Sequence, residues 1–295
     1  MTKSYISDMR DKRILVFGAS GMLGHRVMEL LHDREARGLR SADCDISDAT
    51  AVADAVMGYA PDVIINCAAY TAVDKAETET EAADRVNHAG PLNLAKAAKE
   101  TGAVLIHVST DYVFDGTAQK PYTEDAPTAP LGAYGVTKRA GEEAIEATGC
   151  RHVTIRTQWL YDSRGKNFFL TMLRLFGERD TLNVVNDQTG APTFAYDLAR
   201  AIVKIADEYD GQDGIYQYSN SGECTWYDFA MSIAQMANAK TEIKPVSTSQ
   251  YPTPARRPHY STLSKAKIIN TFGVEVPHWR DGLTRCYDTW SSTKK

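Results

Sequence analysis

"RILVFGASGMLGHRVMELLHD" (residues 13–33) decides the fold. Its first part, "RILVFG" (13–18), is a continuous apolar run and reads as a buried strand. "MLGHRVMELLHD" (22–33) follows with apolar residues at helical spacing. Gly18, Gly21 and Gly24 stand directly between them, with Ser20 in the same turn. The first glycine allows the tight turn, the second lets the backbone approach a pyrophosphate, and the third lets helix and strand pack closely. Phosphates at such a turn meet free N–H groups at the positive end of a helix.

Further along, "PDVIINCAA" (61–69), "AVLIHVST" (103–110) and "RHVTIRTQWLY" (151–161) read as more strands, and "EAADRVNHAGPLNLAKAAKE" (81–100) as a helix. A second strand is placed in the short, polar "ARGLRSADCDI" (36–46). Buried strands separated by helices imply a parallel sheet with crossover helices. After residue 161 the rhythm changes to "NFFLTMLRLFGERD", "TLNVVND", "FAYDLARAIVKIADE", "WYDFAMSIAQMANA" and the Pro-rich "PVSTSQYPTPARRP". The expected fold is α/β: a Rossmann-type doubly wound parallel sheet with a smaller C-terminal α/β substrate lobe. Residues 1–161 form the dinucleotide-binding part and 162–295 the second lobe, from which segments can return to the sheet.

The bulk numbers narrow the class. The chain has 295 residues, 43% hydrophobic and 24% charged, with a net charge of −5. That balance is globular, and without a long basic run a nucleic-acid footprint is not expected. No apolar stretch approaches the roughly 20 residues that span a bilayer, so no membrane role is expected. "MTKSYISDMRDKR" is a polar lead-in without the apolar region of a signal peptide. Cys44, Cys67, Cys150, Cys224 and Cys286 are odd in number and contain no C-x-x-C. Reduced thiols in a cytoplasmic protein are the expectation, with neither disulfides nor a zinc site.

"AYGVTKRAGE" (133–142) sets Tyr134 and Lys138 four apart, on one face of a helix. The chain order of the glycine turn, "NCAAYT", "ST" and Y-x-x-x-K resembles the extended short-chain dehydrogenase/reductase superfamily. "PDVIINCAAYTAVDKAE", "VNHAGPLNLAKAAKETGA", "HVSTDYVFDG", "RTQWLY", "NFFLTMLRL", "VVNDQTGAPT" and "PTPARRPHYS" narrow the resemblance to the dTDP-4-dehydrorhamnose reductase family across nearly the whole chain.

That resemblance implies reduction of a 4-keto nucleotide sugar with NADPH or NADH. Reducing a ketone needs a hydride on carbon and a proton on oxygen, and the nicotinamide supplies the hydride. A tyrosine has an ordinary pKa near 10, and a neighbouring ammonium favours its phenolate. Tyr134 is therefore expected as proton donor, Lys138 as its electrostatic partner and a ligand of the cofactor ribose, and Thr110 as the donor that orients the carbonyl. Arg37 and Arg40 near the end of the second strand favour NADPH; Asp43 and Asp45 just after favour NADH. Both stay open, with NADPH slightly ahead.

Other roles come from the resemblance alone. Met22 and Leu23 belong to the glycine turn, Asp45 and Ile46 to the adenine side, and Ala68, Ala69 and Tyr70 to the strand end along the cofactor. Asp111 and Trp159 meet the sugar nucleotide. Asn167, Phe168, Asn186 and Gln188 close over it, and Arg256 and Arg257 clamp its diphosphate, since guanidinium forks suit phosphate oxygens.

The chain departs from the family pattern at Gln158 ("RTQW" for "RTSW") and Lys166 ("KNF" for "NNF"), which puts the exact sugar or nucleotide in doubt. Arg26 stands where some family members carry an acidic residue for a metal-bridged dimer, so no metal is expected, and monomer and homodimer stay open. A dehydratase would need a second carboxylate after Asp111, where this chain has Tyr112. A non-catalytic NADP-binding subunit, like the regulatory subunit of methionine adenosyltransferase, is the other alternative, and a related reductase of different substrate a third.

Overall fold

A computed structural model describes residues 12–293, so the polar lead-in before the first strand lies largely outside the described residues. The glycine-turn segment forms strand β1 (Ile14–Phe17) and helix α1 (Met22–Leu30). Then come β2 (Ala36–Leu39), α2 (Ala49–Tyr59), β3 (Val63–Asn66), α3 (Gly90–Thr101), β4 (Val104–Thr110), α4 (Ala133–Thr148) and β5 (His152–Thr157). Helix α5 (Phe168–Phe176) opens the second lobe, and α6 (Ala195–Glu208) returns to lie beside α1 and leads into β6 (Gly214–Gln217). Helix α7 (Trp226–Met236) goes back to the second lobe, α8 (Ala266–Phe272) packs on the sheet, and α9 (Trp279–Ser292) ends the described chain.

The six strands are parallel, in the order β6-β5-β4-β3-β1-β2. Every residue of β1 and β3 is buried, because helices cover both faces of the sheet. One face packs Ile14, Val16 and Ile65 against α1, α6 and α8 through Val27, Leu198, Ile202, Ile205 and Phe272. The other packs Leu15, Phe17 and Ile64 against α2, α3 and α4 through Val52, Val56, Leu94 and Ile145. Each such aliphatic side chain contributes about 1.5–3 kcal/mol when fully buried. A separate core of Tyr161, Phe169, Met172, Phe194, Phe229, Trp279 and Leu283 holds the second lobe. There Thr181–Val185 pairs in parallel with Glu242–Val246. No helix among the described residues is long and apolar enough to cross a membrane.

Three expectations need correction. The second strand covers only Ala36–Leu39; Arg40 onward turns back, with Asp43 and Cys44 donating to the Arg40 carbonyl. The helix expected over 81–100 runs unbroken from Thr80 to Thr101 but is not regular: Thr80–Asp84 leads into a wider π-type turn at Arg85–Ala89, and α3 continues from it. Pro91 causes this, because it has no N–H for the Asn87 carbonyl and its ring crowds that group. The strand expected over 151–161 stops at Thr157, because Trp159 takes a left-handed conformation (φ 46°) before the short strand Leu160–Tyr161.

Candidate active site

β1 connects to β2 on one side and β3 to β4 on the other, so the crevice at their carboxyl ends is the switch point of the sheet. The glycines bound it. Gly18 has φ 76°, and a Cβ there would sit 2.6 Å from the Ala68 nitrogen. A Cβ on Gly24 would sit 2.2 Å from the Gly18 carbonyl oxygen, which is how closely α1 packs on the turn. At Gly21 the nearest atom to a Cβ is that same oxygen at 3.2 Å, so Gly21 keeps an outward face open. Gly21 also caps α1 and brings no side chain to its first N–H groups.

Ser20 and Gly21 are exposed on the rim, Met22 is half-buried and Leu23 is buried beneath it. Ala68, Ala69 and Tyr70 follow the end of β3 and are half-buried, with the Ala68 backbone directly beside Gly18. A backbone cradle with bare helix N–H groups and small residues facing it fits the diphosphate of a dinucleotide. Tyr70 is held by Asn87, which accepts its N–H at 2.9 Å and donates to its carbonyl at 3.1 Å. Sequence reading assigned Asn87 no role; the signal was a polar residue in the buried part of "VNHAG".

The adenine-side residues are less committed to a ligand. The Arg40 guanidinium is exposed and grips Asp43 through two bonds of 2.8 Å, which holds that carboxyl far below its usual range. Asp45 accepts from Ser47 in a local turn, and Ile46 is buried against Gly90.

Thr110 ends β4, and α4 brings Tyr134 and Lys138 to the same region. Tyr134 lies edge-on to Tyr112 with ring centroids 5.5 Å apart. Burial pushes its phenol up to about 12, with the nearby Thr110 hydroxyl opposing the shift and the Asp111 charge adding to it. Lys138 is buried, and its Nζ donates to the Val108 carbonyl at 2.7 Å. Burial pulls Lys138 down to about 8, and Glu142 opposes the shift. The expected lowering of the phenol by Lys138 is therefore corrected: the ammonium is turned to the β4 backbone, and desolvation raises the phenol instead.

Behind them Glu142 is buried in a network with Arg156 at 2.7 and 2.9 Å, Ser109 at 2.6 Å and Arg139 at 2.9 Å. Asp111 is fully buried, and burial raises its carboxyl to about 7. Ser261 lies close enough to temper that shift, but its hydroxyl proton goes to Gln158 Oε1 at 2.9 Å, leaving Asp111 Oδ2 without a donor.

The second lobe supplies the far wall. Trp159 stacks on Trp226 at 3.7 Å and 13°, and Phe168 packs on Trp226 at 4.7 Å. Asn167 caps α5 through the Leu170 N–H, and its amide donates to the Asp162 carbonyl at 2.9 Å and reaches the Met22 sulfur at 3.5 Å. It thus ties the second lobe to the glycine turn. Asn186 accepts from Thr225 at 2.8 Å, and Gln188 donates to Thr248 at 3.0 Å.

Arg256 and Arg257 line a cleft of about 330 Å³ with Asp115, Thr117, Thr248 and His259. Arg256 is exposed, whereas Arg257 is bound to Asp74 at 2.9 and 3.1 Å. Of the departures, Gln158 is buried between Ser261 and Ser219, and Lys166 is exposed. Arg26 is bound bidentately to Asp162 at 2.7 Å and to Glu29 at 2.8 Å.

A glycine-turn cradle at a switch point, beside a Thr-Tyr-Lys group, defines a nicotinamide-dependent oxidoreductase of the extended short-chain class. The model of the RmlD substrate binding domain matches residues 12–292. The dTDP-4-dehydrorhamnose reductase of Escherichia coli K12 is 43% identical over 286 residues, covering 92% of this chain and 96% of its own. A solved dTDP-4-dehydrorhamnose reductase of Clostridium acetobutylicum superposes with a TM-score of 0.91 at 39% identity, covering 95% of this chain and 99% of its own. One of Bacillus anthracis, in complex with NADP, does so at 0.90 and 37%, with the same coverage. The chain belongs to the dTDP-4-dehydrorhamnose reductase family.

Proposed function

We propose that this chain reduces the 4-keto group of dTDP-4-dehydro-L-rhamnose to give dTDP-L-rhamnose, with NADPH as reductant. The observation that carries the reading is the placement of Tyr134 and Lys138, one turn apart on α4, against the end of β4 that Thr110 closes: Tyr134 lies edge-on to Tyr112 and Lys138 Nζ donates to the Val108 carbonyl. NADPH, when bound, supplies the hydride. Gly18, Ser20, Gly21, Met22, Leu23 and Gly24 would hold its diphosphate, Ala68, Ala69 and Tyr70 the opposite side, and Arg40, Asp45 and Ile46 the adenosine end.

Tyr134 is protonated at neutral pH, as any phenol is, and burial raises it further, to about 12, so it releases the proton only to a stronger base. The alkoxide left by hydride addition is such a base. Thr110 aligns the carbonyl oxygen with the phenol, and Lys138, one turn along α4, is the group that returns a proton to the phenolate that remains. Trp159 and Trp226 offer an aromatic wall, and Asp111, Asn167, Phe168, Asn186, Gln188, Arg256 and Arg257 surround the sugar nucleotide.

Purified protein with NADPH and dTDP-4-dehydro-L-rhamnose should oxidise NADPH and yield the 4-hydroxy sugar by NMR. NADPH binding without turnover on this or other 4-keto nucleotide sugars would favour the non-catalytic subunit. Turnover on another sugar alone would redirect the substrate to the changes at Gln158 and Lys166.

A further inference from the structure

His107 lies on β4, three residues before Thr110, and neither the glycine turn nor the Tyr-Lys pair accounts for it. It is fully buried, as is Asn66 on β3, and Lys138 is 1% exposed. Asn66 Oδ1 accepts the Ala68 N–H at 3.0 Å. Turning the amide over would set its NH2 against that N–H, so the amide has one orientation. Its Nδ2 therefore donates to His107 Nδ1 at 3.0 Å.

A neutral imidazole carries one proton, and the bond made by one nitrogen decides which. With Nδ1 accepting, the proton sits on Nε2, and Nε2 lies 3.4 Å from Lys138 Nζ. An N–H aimed at an ammonium opposes it; aimed at an amine it donates to the lone pair. We propose that His107 is a positioning residue for the reduction: Asn66 locks it as the Nε2–H tautomer, and it presents a donor to Lys138 Nζ that favours the amine over the ammonium.

The surroundings agree. Burial first, then Lys138 and His152 on β5, hold His107 well below its ordinary pKa, so the ring is neutral. Glu142, one turn further along α4, pulls Lys138 the other way, but its carboxylate is committed to Arg156, Arg139 and Ser109. The Val108 carbonyl accepts from Nζ in either state. Tyr134 shares the helix face.

The consequence rests on reading Lys138 as the working partner of Tyr134. After Tyr134 gives its proton to the alkoxide, a proton leaves Nζ and restores the phenol, directly or through one bridging hydroxyl. The amine that remains is the form His107 stabilises, and it regains a proton from water.

The test uses the full-length protein at rest. Histidine 15N NMR should find the His107 proton on Nε2. A pH titration of 13Cε-labelled lysine, with the Lys138 signal assigned by its loss in Lys138→Met, should give a midpoint at least one unit below ordinary lysine. His107→Leu should raise that midpoint by about one unit, tenfold in the equilibrium. His107→Gln, which can present an amide N–H, should hold it within a few tenths. A proton on Nδ1, or a midpoint that stays or falls in His107→Leu, overturns the proposal. Should that variant not fold, the wild-type tautomer decides. Neither readout needs turnover, so an inactive enzyme would refute the reductase reading and leave this one standing.

Discussion

The Thr110 hydroxyl donates to Asp111 Oδ1 at 3.1 Å while its oxygen accepts the Tyr112 N–H at 3.2 Å. Thr110 thus has one proton and two claimants, the Asp111 carboxylate and the substrate carbonyl. Which claim wins depends on whether Asp111 is charged. Burial raises that carboxyl to about 7. Below that pH it is neutral and its pull on the hydroxyl is weak; above it the carboxylate holds the proton.

The reductase kcat/KM should therefore fall as pH rises through about 7. Asp111→Asn cannot ionise and should lose this limb, though its plateau is lower. A pH–rate profile of both proteins checks it; an unchanged limb in Asp111→Asn assigns that limb elsewhere.

Tyr134→Phe should lower kcat by about 10²–10⁴. NADPH affinity, followed by fluorescence titration, should move less than about twofold. Removing one hydroxyl from the site and keeping the ring should change stability by only about 1 kcal/mol.

Two glycine substitutions should separate folding from binding. Gly24→Ala drives a Cβ to 2.2 Å from the Gly18 oxygen and should cost about 1–3 kcal/mol in denaturant melts. Gly21→Ala meets that oxygen only at 3.2 Å, so the protein should fold normally. The methyl then stands where a diphosphate must approach, and NADPH binding should weaken at least about tenfold, roughly 1.4 kcal/mol. Calorimetry on both variants distinguishes the effects.

Arg257→Ala should raise KM for the nucleotide sugar more than it lowers kcat. Burial works against the Asp74 carboxylate, but the Arg257 fork and the Ala255 N–H outweigh it and hold it below its usual range. Asp74 thus presets the guanidinium. Asp74→Ala should raise KM as well, by loosening the 253–257 loop, and the double variant should fall short of the sum of the two. Steady-state kinetics on the three proteins measures this.

Arg156→Met should leave the buried Glu142 carboxylate with too few donors and cost about 3–5 kcal/mol. In the wild type, burial raises the Glu142 carboxyl but Arg156 and Ser109 overcome it, so the group ends below its ordinary value. A lowered carboxylate adds stability at neutral pH, and that contribution is lost as pH falls through the folded value. Denaturant melts at neutral and acid pH should show the variant's deficit shrinking in acid.

The sheet was legible in the chain because its signals are local. "RILVFG" and "PDVIINCAA" carry unbroken apolar runs that only a strand buried on both faces tolerates, and three glycines at fixed spacing can be read without knowing their neighbours. Tyr134 and Lys138 were legible because helical periodicity places them on one face. The return of α6, β6 and α8 to the sheet had only a general signal. What the chain alone did not disclose depends on residues far apart in it meeting in the dry interior. Asn87 bracing Tyr70, Arg257 captured by Asp74, Trp226 under Trp159 and His107 between Asn66 and Lys138 are pairs that no spacing announces. Hydrogen-bond direction and desolvation exist only once water is gone, so tertiary packing decided which protons these side chains keep.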